Sequence, residues 1–441
     1  MATPTAAGYA SYSWRSSTTG SHVPEDHAPR GRAPRIFVPI PSEALVHIDS
    51  ILEAGGEPVV LGLPTERPAG GVALHREWVA DWTEAFCSTN KLDALLLSAT
   101  ELAQLAGLLL AALRLDLPTV VVSTNSPFTV ALAALGFVPL DEDPARVVVR
   151  LAKTGRPRPR ELAEGFSLAN ALRAGLALGS GPELLVHLAA IARETGVAGF
   201  SQMIRVLTPE SPKVADPDSY WFEAHGAAGL FAYLGDVLHD TGTVTGRLKE
   251  SLPPAPATPQ ESGGSRLVFL RGRASGTEIL CRVDGEAAEF SGNCRFYHSE
   301  RAAIRAVNDA AVRQEDLLVV GGCGPRGGPG LLRLSCLGST LVETGLAGLV
   351  PVLTDGLPPE GAPGIWASLA APEAAAGGVI GRLRHGDFLR LDLAEGLIRT
   401  GIRAEELGGR EPFASSVSPG FGYATRYSRT ALPALEGAGF G

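Results

Sequence analysis

The chain has 441 residues, 45% hydrophobic and 19% charged, with a formal net charge of −9 at pH 7. That length supports two or three domains around a large core. The acidic balance argues against nucleic acid as the main partner, because phosphate contacts need a basic surface.

Residues 1–34 are rich in Ser, Thr, Pro, Gly and His and lack the apolar core of a signal peptide, so they read as a disordered tail. Arg35–Ile40 is a predicted strand, and Ser42–Glu53 a helix with Ser42 at its N-cap. Pro58–Gly62, Asp93–Ser98 and Pro118–Ser123 are further strands, and Trp78–Phe86 and Glu101–Leu113 are helices. This alternation predicts βαβ units and a mostly parallel sheet. Ligands of such sheets lie beyond the C-terminal strand ends, here near Ser98–Glu101 and Thr124–Pro127. The most apolar stretch, Leu102–Leu117, carries Gln104 and Arg114 and is too short and polar to cross a membrane. A cytoplasmic location is the expectation.

Residues 145–251 read as mainly helical, and the Pro-rich segment 251–264 as a linker. Beyond it, Arg266–Leu270, Ile279–Val283, Leu317–Val320, Val350–Thr354 and Phe388–Leu393 are short strands separated by turn residues. The expected fold class is therefore α/β: an N-terminal domain (35–250) with a mostly parallel sheet, and a C-terminal β-rich, barrel-like domain (265–441). In the second domain, Gly321–Gly330 holds six glycines and two prolines directly after an apolar strand. Such a loop brings bare backbone close to a ligand anion, a site floor or another strand.

Several motifs of the second domain occur in a fixed order: Gly324–Gly330, Leu353-Thr354-Asp355-Gly356, Ala371–Gly378, His385-Gly386-Asp387, and the ending Arg426-Tyr427 to Ala438. Leu92–Leu95, Arg114–Pro118, His187-Leu188 and Thr243–Gly246 join them from the first domain. Together they resemble the family of dihydroxy-acid and sugar-acid dehydratases, including 6-phosphogluconate dehydratase, from about residue 40 to the end. The resemblance implies an iron–sulfur cluster on three cysteines as Lewis acid, a Mg²⁺ held by carboxylates and a modified lysine, and a serine base. Water leaves, and the enol becomes a 2-keto acid. Family members form dimers or larger oligomers, so a homo-oligomer is implied too.

The chemistry-bearing positions depart from the family. Where the resemblance implies Gly-Cys-Asp-Lys, the chain reads Thr100-Glu101-Leu102-Ala103. The first cluster cysteine is expected in an N-terminal segment with no counterpart here. The Cys-Gly-Gly motif of another is missing between Ser126-Pro127 and Phe128–Phe137. A Mg²⁺-binding glutamate corresponds to Arg333, a loop glutamate to Cys323, and the serine base to Pro359, which has no ionisable group. No cofactor is therefore expected, with an iron–sulfur cluster and Mg²⁺ only if other ligands retain the family activity.

The five cysteines, Cys87, Cys281, Cys294, Cys323 and Cys336, are odd in number, widely spaced and without a Cys-x-x-Cys pair. Separate buried thiols are favoured over a metal or redox site. Glu101, at a strand end, is a candidate acid/base or an ordinary helix-start carboxylate. Glu360 is a candidate replacement base or a solvated loop residue, and Asp355 a group that orients it. Thr124, Asn125 and Ser126 form either an oxyanion-binding loop or a plain turn. Cys323, Arg326 and Glu223 complete the candidate substrate pocket, and His187 reads as a satisfied core histidine. These residues suggest a catalytically degenerate dehydratase homologue that binds a small organic acid or a partner. The alternatives are an active hydro-lyase with a rebuilt site and a regulatory subunit of an intact dehydratase paralogue.

Overall fold

The computed structural model describes residues 31–40, 43–63, 71–250, 252–259, 264–272, 276–326, 330–411, 413 and 422–441. The predicted tail through residue 30, and Ser42 as an N-cap, lie outside them.

Four short strands build the first sheet: β1 (Arg35–Ile40), β2 (Glu57–Gly62), β3 (Ala94–Leu97) and β4 (Thr119–Val121). All pair in parallel in the order β2-β1-β3-β4. Strands β3 and β4 are buried along their whole length, as expected of a sheet covered on both faces. The covering helices begin with α1 (Ile48–Glu53), α2 (Val72–Asn90), α3 (Leu102–Leu115), α4 (Pro127–Ala134) and α5 (Pro144–Thr154). Helix α2 is longer than its apolar periodicity suggests: its first turns bury His75, Arg76 and Glu77, so polar residues conceal an inward-facing segment. A helical layer follows: α6 (Pro159–Leu162), α7 (Gly165–Ala177), α8 (Pro182–Glu194), α9 (Phe200–Glu210) and α10 (Tyr220–Leu234). A two-residue ladder, β5 (Gly242–Thr243) with β6 (Gly246–Arg247), closes the domain.

The second domain is a closed barrel of eight strands. They are β7 (Ser265–Gly272), β8 (Glu278–Asp284), β9 (Glu289–Tyr297), β10 (Asp316–Val320), β11 (Val352–Thr354), β12 (Ile365–Ala371), β13 (Phe388–Asp392) and β14 (Leu397–Thr400). Strands β9, β10, β11 and β12 are mutually parallel, and α11 (Glu300–Asn308) and α12 (Ser335–Glu343) lie on the connections between them. The other neighbours are antiparallel except β7 with β14. Two short helices, α13 (Ala404–Gly409) and α14 (Tyr423–Thr430), follow. Alternation decides what fills the barrel. Leu270, Cys281, Cys294, Leu317, Val319 and Leu391 pack inside, while Leu318, Val320, Val352 and Trp366 face α11 and α12. Leu280 and Phe269 turn outward and join the core of the first domain.

Candidate functional site

The glycine-rich loop leaves β10 and runs toward the first domain. Its amides point at carboxylates of the protein itself. Asp355, 1% exposed, accepts from Gly322 N at 3.1 Å, Cys323 N at 2.8 Å and Ala374 N at 3.0 Å. Glu373 Oε2 accepts from Arg326 N at 2.6 Å. Backbone amides gathered in this way form an anion nest, and here the carboxyl groups that fill it are internal. Burial raises both carboxyl pKa values, that of Glu373 to about 8. Asp355 thus braces the loop. Arg326 reaches on to Ala431 O at 2.7 Å through Nε, tying the loop to the C-terminal segment.

The far end of the loop meets the start of α2. Gly330 O accepts from Ala73 N at 3.1 Å, and Leu331 O accepts from Val72 N at 2.9 Å. The first amides of a helix lack intrahelical acceptors, and two loop carbonyls supply them. A Cβ on Gly71 would lie 2.0 Å from Leu331 O. The bare backbone is therefore needed for contact between loop and helix.

Just beyond the loop, Arg333 sits where the domains face each other. Its Nε donates to Glu183 Oε2 at 2.9 Å, and its Nη2 makes a second, shorter bond to the same oxygen. Glu360 and Glu101 also act on the Arg333 charge. Burial would lower the Arg333 pKa, but these carboxylates outweigh it and raise the value. Arg333 also borders a recess of about 630 Å³, shared with Glu360, Pro359, Ser335, Ser339 and Trp366. The ring of Pro359 is wedged against α12, where a Cβ on Gly338 would meet its Cγ at 2.4 Å.

Glu183 opens a chain of polar contacts through the first domain. Its Oε1 lies 3.4 Å from His187 Nε2, and His187 Nδ1 lies 3.3 Å from Arg76 Nη1. Arginine can only donate, so Nδ1 accepts and the ring proton resides on Nε2, toward Glu183. Arg76, fully buried, also donates to Glu77 Oε1 at 2.7 Å and to Gly437 O at 2.5 Å. Glu77 Oε2 accepts from Arg114 Nη2 at 3.2 Å, and Arg114 Nε reaches Glu194 at 3.0 Å. The chain ends at a surface recess of about 270 Å³ lined by Glu77, Arg114 and Glu194. Burial lowers the His187 pKa. For Glu183 burial acts upward, but His187 and Arg333 prevail and hold it below the usual carboxylate range.

The sequence candidates separate into groups. Glu101 and Glu360 both act on the Arg333 charge through their fields. Asp355, Cys323 and Arg326 belong to the loop bracing just described. Thr124 Oγ1 contacts Ser126 Oγ at 3.2 Å, and Ser126 caps α4 by accepting from Thr129 N at 3.2 Å. Asn125 is exposed with φ 55°, so this loop also satisfies itself. Glu223 is exposed on the first turn of α10. His187 is a satisfied core histidine within a charged chain. Glu183, Arg76 and Glu373 escaped sequence reading: Pro182-Glu183 reads as a helix start, and partners up to 361 residues away leave no local signal. Ser98, 1% exposed after β3, has a hydroxyl without a hydrogen-bond partner among the described residues.

Comparison with known proteins completes the assignment. Residues 257–438 match the family described as dihydroxy-acid/6-phosphogluconate dehydratase C-terminal. Dihydroxy-acid dehydratase 2 of Bordetella bronchiseptica is 32% identical over 286 residues, covering 60% of this chain and 50% of that protein. The dihydroxy-acid dehydratase of Citrifermentans bemidjiense is 30% identical over 302 residues, covering 64% and 55%. Residues 257–438 thus belong to the dihydroxy-acid/6-phosphogluconate dehydratase C-terminal family, and the chain more widely is similar to dihydroxy-acid dehydratases. It spans about half the length of the curated relatives it matches.

The superfamily's cofactors find no fitting donors at these positions. Leu102, Ala103 and Pro359 offer no metal-binding group, and the guanidinium of Arg333 has no lone pair to give. Cys281 and Cys294 lie inside the barrel, Cys87 is buried on α2, and Cys336 is exposed on α12. Cys323 is buried beside Asp355, and burial raises its pKa well above normal, which opposes the thiolate needed for iron. Among the described residues, no group of three or more His, Cys, Asp or Glu side chains is placed to hold a metal ion.

Proposed function

We propose that this chain is a catalytically degenerate dehydratase homologue, cytoplasmic, that works by binding a small organic acid or a protein partner. The observation carrying this reading is Arg333. At the position the resemblance gives to a Mg²⁺-binding glutamate, a guanidinium is fixed between domains by Glu183 and lies within the fields of Glu101 and Glu360. A permanent cation there meets the local carboxylates and repels a second cation. Pro359, packed on Gly338 where the base would stand, supports the same reading.

The test is anaerobic purification followed by iron analysis and a 2-keto acid assay on 2,3-dihydroxy acids and sugar acids. A colourless, iron-free, inactive preparation is expected. Brown protein forming 2-keto acid would establish the rival reading, an active hydro-lyase with a rebuilt site.

A partner, either a second copy or an intact dehydratase paralogue, is favoured by Val342 and Leu349. They are 61% and 47% exposed beside the recess at Arg333. Size-exclusion chromatography with light scattering, alone and with a paralogue, separates these two from a monomer.

A further inference from the structure

We infer that the seam between α9 and the outer face of β7–β8 is a binding site for a small anion carrying two or more oxyanion groups. A recess of about 860 Å³ lies there. It shares no lining residue with the recess at Arg333. Its wall carries Arg205, Lys213, Arg266, Arg271 and Arg282, against the single lining carboxylate Glu395. In a chain of net charge −9 this local excess of cations runs against the overall balance.

Pairing within the protein does not account for all of them. Glu278 takes Arg205 at 2.8 Å and Arg271 at 3.8 Å, and Asp216 takes Lys213 at 2.5 Å. Arg266 instead donates to the carbonyls of Gly285 and Ala287, and Arg282 to that of Ala362. Among the described residues neither has a carboxylate within ion-pair distance. Asp284 and Asp216 act on Arg282 only through their fields, and burial outweighs them and lowers its pKa. Carbonyl acceptors leave the charge of a guanidinium uncompensated, and planar forks are suited to two-point contact with oxyanions.

A second observation points the same way. Thr208 lines this recess and is 4% exposed, yet among the described residues its hydroxyl has no hydrogen-bond partner. A buried hydroxyl left unpaired loses its bonds to water without replacement, so a group to complete it is wanted at this wall. Leu267 and Phe269 provide apolar floor beside the charges, room for the carbon part of an organic anion.

The probes are sodium pyrophosphate and citrate, titrated calorimetrically into the full chain at constant ionic strength, with chloride as the blank. Saturable binding of at least one is expected, weakening with added salt. Pyrophosphate alone identifies phosphate-type groups, and citrate alone identifies carboxylates. Arg266→Gln with Arg282→Gln should weaken binding at least about tenfold. Because Arg282 also braces the barrel wall, Thr208→Val is the second variant. It should keep or raise the melting temperature without ligand, yet weaken binding several-fold. Absence of saturable binding of both probes to the wild type overturns the proposal. So does binding that survives unchanged in both variants.

Discussion

Arg333 of the barrel domain and Glu183 of α8, 150 positions apart in the chain, form a double contact across the domain boundary. Their side chains are 20% and 13% exposed. Removing one partner of such a pair leaves an uncompensated, largely buried charge. Arg333→Met or Glu183→Leu alone should each destabilise by about 3 kcal/mol, whereas the double variant should fall much closer to the wild type. Chemical denaturation of the four proteins measures this. Single variants as stable as the wild type would show that the contact does not join the domains.

His187 makes stability depend on acid. Its folded pKa is depressed, chiefly by burial, with Glu183 opposing and Arg76 and Arg333 adding to the shift. Below the ordinary histidine value near 6.5 the unfolded chain therefore binds a proton that the folded chain resists. This group's contribution is intact above that pH and is lost as pH falls below it. His187→Gln should flatten the melting-temperature profile between about pH 6.5 and 5. An unchanged slope would show that the imidazole takes up its proton in the native state.

Glu373 acts with the opposite sign. Its folded pKa of about 8 lies above the ordinary 4.5. The folded state holds a proton that the unfolded state releases across that interval. Its stabilising share is present at low pH and declines as pH rises toward 8, by up to a few kcal/mol. Asp355, also raised, adds to the same trend. Glu373→Gln should remove its portion of the decline. A steeper decline in that variant would mean that the charged carboxylate, held by Arg326 N, is the stabilising form.

The parallel sheet and the barrel domain were legible because both follow from local pattern. Arg35–Ile40 occupies its predicted place, and Ile279–Val283 forms most of β8. Barrel closure was not legible, since pairing β13 with β9 and β14 with β7 is long-range. Strand β9 escaped because it mixes Gly292, Asn293 and Arg295 into its apolar alternation. For the site, sequence could mark Glu101, Glu360 and Arg333 as departures, because residue type alone reveals a missing ligand. It could not show that both carboxylates act on the Arg333 charge, or that Glu183 would be its counter-ion. The loop's glycines were conspicuous, but what they approach depends on α2, more than 250 positions earlier.

The thiols should differ sharply in reactivity. Cys336 is exposed, whereas Cys87, Cys281, Cys294 and Cys323 are buried with raised pKa values. Thiolate is the reactive form. Ellman's reagent should therefore modify one thiol quickly in the native protein and five in denaturant. Cys336→Ser should abolish the fast phase. A second fast thiol would reveal local opening, and mass mapping would locate it.

The clasp between loop and α2 should be among the least tolerant places in the chain. A Cβ at Gly71 would stand 2.0 Å from Leu331 O, and one at Gly330, where φ is +88°, 2.5 Å from Leu74 Cβ. At Gly71 the obstacle is backbone, so no rotamer change relieves it, and moving apart breaks the bonds to Val72 N and Ala73 N. Gly71→Ala and Gly330→Ala should each cost roughly 2–4 kcal/mol. Because both act on one contact, the double variant should cost less than their sum. Gly401→Ala is the control: its Cβ would meet nothing within 4 Å, and its effect should stay within about 0.5 kcal/mol. If Gly71→Ala matched that control, the clasp would be loose in solution. The glycines of the loop would then need a reason other than this contact.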